Sequence, residues 1–334
     1  MRAGKKPLRV TIVYSTPSRR LLATPYGATD EDTAYVAKKV KEALRKKHIR
    51  ASLLALNEDT IDAIDDIRTD CIFNLIEWTG LDIHLSQKAF MHLGALHIPV
   101  TGATKDNYME TANKVTMKKA LQKAGTPTPR WQVFTTGREI PDTNLAYPVI
   151  AKPAFEHCSI GLNYDAIAYN TKQVHTVVRR QIQAFHQPAL AEEFISGREL
   201  LVYLLEKEAG IQILPIEEVL FTNGRKLAFQ TYESKWDQTH EDFRTSHVVV
   251  AELAKKERRT IERVCIDAFR KLGFRGYARF DIRLQGGVPY VLETNCNPNV
   301  YDSDEDQIPG IPFPDFVETI VRSAFYHYSH GWKI

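Results

Sequence analysis

Apolar and polar side chains alternate most strictly near the C-terminal end of the chain. Every second position from Ala278 to Leu284 is apolar, and the positions between them carry Arg279, Asp281 and Arg283. This period of two is the pattern of a strand that buries one face and exposes the other. The sequence therefore predicts a half-buried strand whose polar face is charged.

A second strand is predicted from the run that begins at Tyr290 and reads Tyr-Val-Leu-Glu-Thr-Asn. Glu293 and Asn295 lie two positions apart, so they share a face of that strand. A three-residue loop centred on Gly287 would join the two strands as a hairpin and place Glu293 opposite Asp281. Two carboxylates and an amide oxygen then converge on one face.

This polar face has two explanations, which the hairpin alone leaves open. Carboxylates held so close raise each other's pKa unless a cation neutralises them, and an all-oxygen site with few protein ligands suits Mg²⁺ that also binds phosphates. The metal ligands are then Asp281, Glu293 and Asn295, and a nucleotide completes the site. Alternatively, the face is solvated, and Arg279 and Arg283 pair with the acids.

The N-terminal third of the chain alternates between strand and helix. Its elements are predicted as a strand at 8–14, a helix at 31–47, strands at 50–56 and 70–76, and a helix at 84–94. This order predicts a parallel sheet flanked by helices. Ligands of such sheets gather at the carboxyl ends of the strands, which directs attention to the loops 15–20 and 77–80.

Helices and strands follow in a less regular order in the rest of the chain. A helix is predicted at 108–125, and the Thr-Pro-Thr-Pro segment after its terminal Gly125 marks a boundary. Further strands are predicted at 131–134, 149–153, 189–195 and 199–205, and a closing helix at 313–328. Together with the hairpin these elements predict a mixed α/β (α+β) fold.

Composition restricts the kinds of partner. The chain has 334 residues, enough for two or three domains, and its net charge of +3 demands neither a nucleic acid nor an anionic membrane. The apolar run at 8–14 is too short for a signal peptide and no run is long enough to span a membrane, so a cytoplasmic location is expected.

Widely spaced cysteines without metal-ligand spacing predict reduced thiols. They are Cys71, Cys158, Cys265 and Cys296.

An ordered set of segments runs through the last two thirds of the sequence. They are Asn113-Lys114 with Gly125-Thr-Pro-Thr-Pro, Val149 to Gly161 (VIAKPAFEHCSIG), Glu192 to Glu199 (EEFISGRE), Tyr232 to Trp236 (YESKW), Arg279-Phe-Asp281, and Glu293 to Pro298 (ETNCNP). In this order they resemble the ATP-grasp ligases, and most closely the D-alanine–D-alanine ligase group. The resemblance implies an ATP-grasp fold of three domains, at 1–106, 107–195 and 196–334, with ATP between the second and the third. It also implies small amino-acid-like substrates and a homodimer formed through the N-terminal domain.

The resemblance further assigns contacts to ATP. In the family, lysines at the positions of Lys114 and Lys152 contact the phosphates or the nearby adenine, and a small-residue loop that includes Ser159 closes over the phosphates. The segment from Glu192 to Ile195 resembles the family's strand that contacts adenine, with Phe194 over the ring, and Glu199 resembles the carboxylate that binds the ribose hydroxyls. Each motif taken singly is also typical of an ordinary strand or a solvated loop. The implied ATP-binding residues are Lys114, Lys152, Glu192, Glu193, Phe194, Ile195, Glu199 and Lys235.

The implied reaction is carboxylate–amine ligation with Mg²⁺, or Mn²⁺ in its place. ATP phosphorylates a substrate carboxylate, an amine attacks the acyl phosphate, and the tetrahedral intermediate collapses to an amide. Arg279 resembles the arginine that stabilises the developing oxyanion, and Asn299 lies where the family has a backbone oxyanion contact. The alternative for Arg279 is a structural ion pair with Asp281. The implied catalytic residues are thus Arg279, Ser159 and Asn299.

Departures from the family concentrate on substrate recognition. After the third strand this chain has Ile-Glu-Trp-Thr-Gly from Ile76 onward, where the family has a His-Gly and a Gly-Glu-Asp-Gly signature, so the pocket for the first amino acid must differ. Cys158 replaces a loop serine and Trp236 a tyrosine, which removes a serine–tyrosine hydrogen bond. Asn299 replaces a glycine and would need a positive φ for the same turn. The acidic run 301–306 attracts an amine or a cationic acceptor, or else is a solvated loop.

Two other functions stay open from the sequence alone. One is a small-molecule kinase on the same fold, marked by a stable phosphorylated product, and the other is a catalytically inactive regulatory protein that binds ATP. Retention of Arg279 beside the metal ligands argues against the second, because a mere binder needs no oxyanion arginine. A Cys158 nucleophile is disfavoured, since His157 would point away from it on an extended segment.

Overall fold

The computed structural model describes residues 6–27, 32–78, 80–300, 307, 308 and 310–331. Its first sheet is three-stranded, in the order β2-β1-β3, and all of its pairings are parallel. The predicted parallel sheet and its flanking helices are therefore confirmed. The elements are β1 (Arg9–Ser15), α1 (Arg19–Leu22), α2 (Asp32–Lys46), β2 (Arg50–Leu56), β3 (Cys71–Leu75) and α3 (Ile83–Ala95), with short 3₁₀ helices at Ile61–Asp66 and Gly80–Asp82.

Two helices, α4 (Lys105–Thr111) and α5 (Lys114–Lys123), replace the single helix predicted at 108–125. The break has a local cause, because the Asn113 side chain accepts a hydrogen bond from the N–H of Val115 and so caps a new helix. The N–H of Lys114 donates instead to the carbonyl of Ala154, which lies 2.8 Å away and directly follows the strand at 149–153. The interruption therefore ties the start of α5 to the central sheet.

The central sheet is antiparallel, in the order β4-β7-β5-β6, and α6 covers it with an apolar face that includes Val174, Val177 and Val178. Its last strand was predicted to reach Ile195 but ends at Glu193, although the N–H of Phe194 still donates to the carbonyl of Pro148 in the same register. The elements are β4 (Trp131–Phe134), β5 (Val149–Pro153), β6 (Ile167–Ala168), α6 (Thr171–Phe185) and β7 (Ala189–Glu193).

A six-stranded antiparallel sheet forms most of the C-terminal part, in the order β11-β10-β8-β12-β13, with β9 paired to β8. The closing helix predicted at 313–328 is confirmed as α10, which packs on the first sheet through Phe316, Val317 and Ile320. The elements are β8 (Arg198–Lys207), β9 (Gly210–Ile213), β10 (Glu217–Phe221), α7 (Tyr232–Trp236), α8 (Glu241–Arg244), β11 (Ser246–Val250), α9 (Lys255–Lys271), β12 (Tyr277–Gln285), β13 (Val288–Asn295), β14 (Gln307–Ile308), β15 (Ile311–Pro312) and α10 (Phe313–Ser329).

The predicted hairpin is formed by β12 and β13, and Asp281 lies directly opposite Glu293. The predicted three-residue loop is wrong, however. The strands are joined by Gly286 and Gly287 alone, with φ of 58° and 77°, a two-residue turn that glycine adopts without steric cost. The register then shifts by one residue beside Asp281, which makes Leu292 the extra residue of a bulge. The bulge, and not the length of the loop, therefore places Asp281 directly opposite Glu293.

The cysteines Cys71, Cys158, Cys265 and Cys296 are free thiols. None of the helices in the described ranges is long and apolar enough to cross a membrane.

Candidate active site

A cavity of about 580 Å³ opens between the central sheet and the six-stranded sheet. The cavity is lined by every residue that was predicted from the sequence to act in catalysis, nucleotide binding or metal binding. They are Lys114, Lys152, Ser159, Glu192, Glu193, Phe194, Ile195, Glu199, Lys235, Arg279, Asp281, Glu293, Asn295 and Asn299. The structure thus brings together side chains that are as far as 185 positions apart in sequence, from 114 to 299.

Buried lysines flank a carboxylate at one end of the cavity. The two carboxylate oxygens of Glu192 lie 2.6 Å from Lys118 Nζ and 2.5 Å from Lys152 Nζ. Burial opposes the charge on Glu192, but the two ammonium groups prevail and lower its pKa to about 2. Burial lowers the pKa of Lys118, whereas for Lys152 the Glu192 carboxylate outweighs burial and raises it.

Sequence reasoning missed Lys118, although a signal was present. It lies on the buried face of α5 together with Lys114, Met117 and Leu121, at the spacing that a helix reserves for its apolar side. A lysine at such a position needs a buried partner, since an unpaired ammonium group is costly in an apolar interior. Glu192 is that partner.

Lys114 contacts the loop that lies over the cavity. Its ζ-ammonium group donates to the backbone carbonyl of Glu156. The Glu156 carboxylate faces Gln187 instead, 2.7 Å from its amide nitrogen. A lysine held by a single carbonyl keeps donor capacity for an anion that enters the cavity.

The Glu199 carboxylate has a partner in the protein. Arg283 Nη2 lies 2.5 Å from Glu199 Oε2, and the same guanidinium donates to the carbonyls of Gly197 and Ala228. It also lies 5.3 Å from the centre of the Phe194 ring. Arg283 therefore pairs with the neighbouring strand and not with the acids of its own hairpin.

Arg279 does pair within the hairpin. Its Nε and Nη2 lie 2.7 and 3.1 Å from the two carboxylate oxygens of Asp281, a bidentate contact. Burial works against the charge, yet Asp281 raises the pKa of the guanidinium well above its ordinary value. This geometry is the ion pair that the sequence left as the alternative for Arg279, and its oxyanion role stays a prediction.

Glu293 faces basic side chains on the opposite wall of the cavity. His157 Nδ1 lies 3.3 Å from Glu293 Oε1. Although burial opposes ionisation, Lys114 and His157 lower the pKa of Glu293 well below its ordinary value. Glu293 is therefore an ionised carboxylate that faces the cavity, next to Asp281 across the hairpin.

This donor set fits Mg²⁺ that binds together with phosphate. Asn295 Oδ1 accepts one hydrogen bond, from the N–H of Asn297 at 2.9 Å, and keeps a second lone pair. Across the described ranges, no group of three or more His, Cys, Asp or Glu side chains could hold a metal ion. A cation at Asp281 and Glu293 would take its remaining ligands from phosphate and water, as Mg²⁺ commonly does.

The loop over the cavity is a tight turn, in which Cys158 and Ser159 have φ of 54° and 61°. The expectation that His157 points away on an extended segment is therefore wrong, because His157 and Cys158 both line the cavity. Trp236 Nε1 donates to the carbonyl of Cys158 at 3.1 Å, and Ser159 Oγ donates to the carbonyl of Gln230 at 3.0 Å. Backbone carbonyls thus accept the hydrogen bonds that hold this loop, and the indole of Trp236 supplies one donor.

The first sheet reaches the cavity through Glu77, which directly follows β3 and its flanking residue Ile76. Its N–H donates to Ser15 Oγ at 3.0 Å, and its Oε1 accepts from the Asn295 amide at 3.3 Å. Burial raises the pKa of the Glu77 carboxyl. Of the two strand-end loops that the sequence pointed to, the loop 77–80 therefore supplies a cavity residue, whereas Arg19 in the loop 15–20 pairs with surface acids.

The remaining predicted residues lie at the cavity mouth. Lys235 lines it and makes no ion pair with any residue in the described ranges. Asn299 also lines it, but its φ is not positive, so the backbone does not adopt the turn expected from the family's glycine. The acidic run 301–306 lies outside the described residues.

Comparison with known proteins gives a consistent result. Residues 120–322 match the family model described as "D-ala D-ala ligase C-terminus". A D-alanine–D-alanine ligase of Thermotoga petrophila is 27% identical over 293 residues, which covers 86% of this chain and 90% of that protein. An uncharacterised protein of Sinorhizobium fredii, y4sG, is 31% identical over 235 residues, 69% of this chain and 66% of that protein. Among solved structures, D-alanine–D-alanine ligase from Bacillus anthracis complexed with ATP superposes with a TM-score of 0.73 at 18% identity, over 97% of this chain and 100% of that one.

Proposed function

We propose a reaction for this chain from the premise that it belongs to the D-alanine–D-alanine ligase family, an ATP-grasp family of ADP-forming enzymes. The chain is an ATP-dependent ligase that forms a C–N bond. We propose that it joins two amino-acid-like substrates through an acyl phosphate. The family match favours a ligase over a small-molecule kinase or an inactive regulatory protein.

One observation carries the proposal. A single cavity combines buried cations at one end with the paired carboxylates of the hairpin at the other. A triphosphate needs several cations besides its metal, and phosphoryl transfer is catalysed mainly by positioning and charge stabilisation. The cavity supplies both kinds of group in one place.

The metal would be held by Asp281, Glu293 and Asn295, which are the oxygen donors of the hairpin. Mg²⁺, or Mn²⁺ in its place, would neutralise phosphate charge there and fix the nucleotide relative to the substrate carboxylate. Glu293 contributes a carboxylate whose ionised form is favoured, since Lys114 and His157 lower its pKa despite burial. Asp281 contributes the second carboxylate.

The chain's cations and donors perform the remaining steps. Lys114 and Lys152 bind phosphate or the adjoining part of the nucleotide, and Lys235 adds a third ammonium group at the mouth. The turn that contains Ser159 covers the phosphates and excludes water, held down by Trp236. Arg279 meets the oxyanion that develops when the amine attacks, while Asp281 orients its guanidinium. The N–H of Asn299 is the proposed second donor to that oxyanion.

The adenosine end is assigned to the strand that ends at Glu193. Glu192, Glu193, Phe194 and Ile195 would contact adenine, and Glu199, positioned by Arg283, would accept the ribose hydroxyls. We place the unit boundaries at 1–106, 107–195 and 196–334, so that ATP lies between the second and the third.

The test is release of ADP and phosphate by the full chain with Mg²⁺ and ATP, against D- and L-amino acids singly and in pairs. We expect release that requires two substrates, because the acyl phosphate needs an amine acceptor. Release with one substrate and a stable phosphorylated product would contradict the proposal in favour of a kinase. The control is Glu293→Gln, which keeps the side-chain shape but removes the metal-binding charge, and should lower turnover at least ~100-fold with an unchanged fold.

A further inference from the structure

The connection between α1 and α2 makes an aromatic contact with a distant part of the chain. The centre of the Tyr26 ring lies 5.0 Å from that of Tyr232, in an edge-to-face arrangement, and 5.8 Å from that of Phe185. The Tyr232 hydroxyl donates to the carbonyl of Pro25 at 3.4 Å. Since α2 packs on the first sheet and Tyr232 begins α7, these contacts join the first sheet to α7.

Tyr232 is one of the residues that fix the turn over the phosphate end of the cavity, which we call the covering turn (residues 157–162). Its N–H donates to the carbonyl of Leu162 at 2.9 Å. At the other end of the same helix, Trp236 donates to the carbonyl of Cys158. Two backbone carbonyls of the covering turn thus accept from the two ends of α7. A displacement of α7 would release both.

Phe185, the last residue of α6, supports the same turn. Gly161 has a φ of 76°, and a Cβ at that position would lie 2.6 Å from the Phe185 ring. The ring therefore packs directly against the backbone of the covering turn. Tyr26 packs next to this ring, and burial raises the pKa of its hydroxyl. Tyr26, Tyr232 and Phe185 form one aromatic cluster behind the covering turn.

We infer that Tyr26 is a positioning residue, which holds the covering turn over the phosphates from the side of the first sheet. The inference rests on the proposed function, in which this turn excludes water from the acyl phosphate. Tyr26 is not among the residues that line the cavity, so it acts through Tyr232 and Phe185 and does not touch the substrates.

The position of the turn matters because an acyl phosphate can react in two ways. When the amine attacks the acyl carbon, the bond to the bridging oxygen breaks, phosphate leaves with that oxygen, and an amide remains. When water attacks the same carbon, the same bond breaks and the carboxylate is regenerated. Either nucleophile gives up a proton to solvent. Only the second reaction consumes ATP without product, and a site closed to water suppresses it.

The first experiment measures ADP and amide product in parallel, with Mg²⁺ and saturating substrates. Wild-type enzyme should release about one ADP per amide bond, because its acyl phosphate is shielded from water. Tyr26→Ala should release about two or more, and its KM for ATP should rise about threefold to tenfold, the factor expected for loss of an aromatic pair. Tyr26→Phe keeps the ring and should behave as wild type.

A second measurement needs no ligation. The complex with Mg²⁺ and a non-hydrolysable ATP analogue is chased with excess ATP, and release of the analogue is followed by tryptophan fluorescence. Because the covering turn lies over the phosphates, the analogue should dissociate about threefold to tenfold faster from Tyr26→Ala than from wild type. Tyr169→Ala is the matched control in both measurements, since Tyr169 is 58% exposed and does not line the cavity.

Two outcomes would overturn the inference. One is a Tyr26→Ala variant whose ADP-to-amide ratio and dissociation rate equal those of the control, even if its overall activity falls, because that is the behaviour of a merely structural residue. The other is a Tyr26→Phe variant as uncoupled as Tyr26→Ala, because the ring would then not be the group that acts. Failure of every substrate pair with the wild type would refute the proposed function, and the dissociation rates would still decide whether Tyr26 holds the covering turn.

Discussion

The buried group formed by Lys118, Glu192 and Lys152 makes a prediction whose size follows from the structure. Lys118 and Glu192 are each 1% exposed, so neither charge is compensated by water. Replacement of Lys118 by methionine keeps most of the side-chain volume and removes one of the two cations beside Glu192. The remaining cation, Lys152, must then stabilise the carboxylate alone.

The magnitude is worked from the pKa of Glu192, which is lowered from 4.5 to about 2. One pKa unit corresponds to about 1.4 kcal/mol, so the ionised Glu192 stabilises the folded state by about 3 kcal/mol at neutral pH. Because the folded pKa is the lower one, this contribution is complete above about pH 5 and disappears as the pH falls towards 2. Lys118→Met should raise the pKa of Glu192 towards 4.5, so it should lower the stability at neutral pH by on the order of 2 kcal/mol and make the loss of stability on acidification smaller.

The assay is urea unfolding followed by tryptophan fluorescence at a series of pH values from 7 to 3, with the KM for ATP as a second readout. Lys119→Met is the control, because Lys119 is the next residue on α5 and is exposed. We expect Lys118→Met to unfold at lower urea than the control at pH 7 and to lose less stability than the control between pH 5 and pH 3, and its KM for ATP to rise about tenfold through a displaced Glu192. Equal urea midpoints and equal acid limbs for the two variants would refute the assignment of Lys118 as a partner of Glu192.

Three further predictions follow from single contacts. The lysine of an Arg279→Lys variant cannot make the bidentate contact to Asp281. In the ADP-release assay its kcat should fall about 100-fold, while its KM for ATP should stay within about threefold of the wild-type value. A fall in ATP affinity alone would contradict the oxyanion role. Trp236→Phe keeps the ring but removes the donor to the Cys158 carbonyl, so the KM for ATP should rise about threefold to tenfold, and an unchanged KM would show that this hydrogen bond does not hold the loop. Gly197→Ala places a Cβ 2.3 Å from the backbone oxygen of Leu284, so it should lower the thermal unfolding midpoint by several degrees. The control is Gly210→Ala, whose Cβ has nothing within 4 Å and which should lower the midpoint less. Equal midpoints for the two variants would refute the close approach at Gly197.

The pattern of apolar and polar residues predicted the limits of those strands whose burial follows from the local sequence. The strands at 50–56, 131–134 and 149–153 were predicted at their observed limits, because each is bounded by residues that end a strand. The helix at 108–125 was not, since Asn113 caps a second helix there and the N–H of Lys114 donates to the distant Ala154. No local pattern contains that partner.

The candidate site was likewise predicted only in part. The fourteen assigned residues line one cavity because the ordered segments, and not any single motif, carry the resemblance. What the sequence could not give is which charges pair. Arg283 pairs with Glu199 between β12 and β8, and Lys118 with Glu192 between α5 and β7, and both partners are set by sheet register and packing. Glu77 was visible only as a member of a loop at a strand end, because its hydrogen bond with Asn295 is a property of the assembled cavity.

Transfer of oxygen from donor to phosphate tests the central claim most directly. The donor is supplied with ¹⁸O in its carboxylate, together with Mg²⁺, ATP and the acceptor, and the released phosphate is analysed by mass spectrometry. If the carboxylate is activated as an acyl phosphate, attack by the amine expels phosphate that keeps one oxygen of the donor, so each phosphate should carry one label. Unlabelled phosphate, released at the same rate as ADP, would show that ATP is hydrolysed without activation of the carboxylate and would contradict the assignment of this cavity as a ligase site.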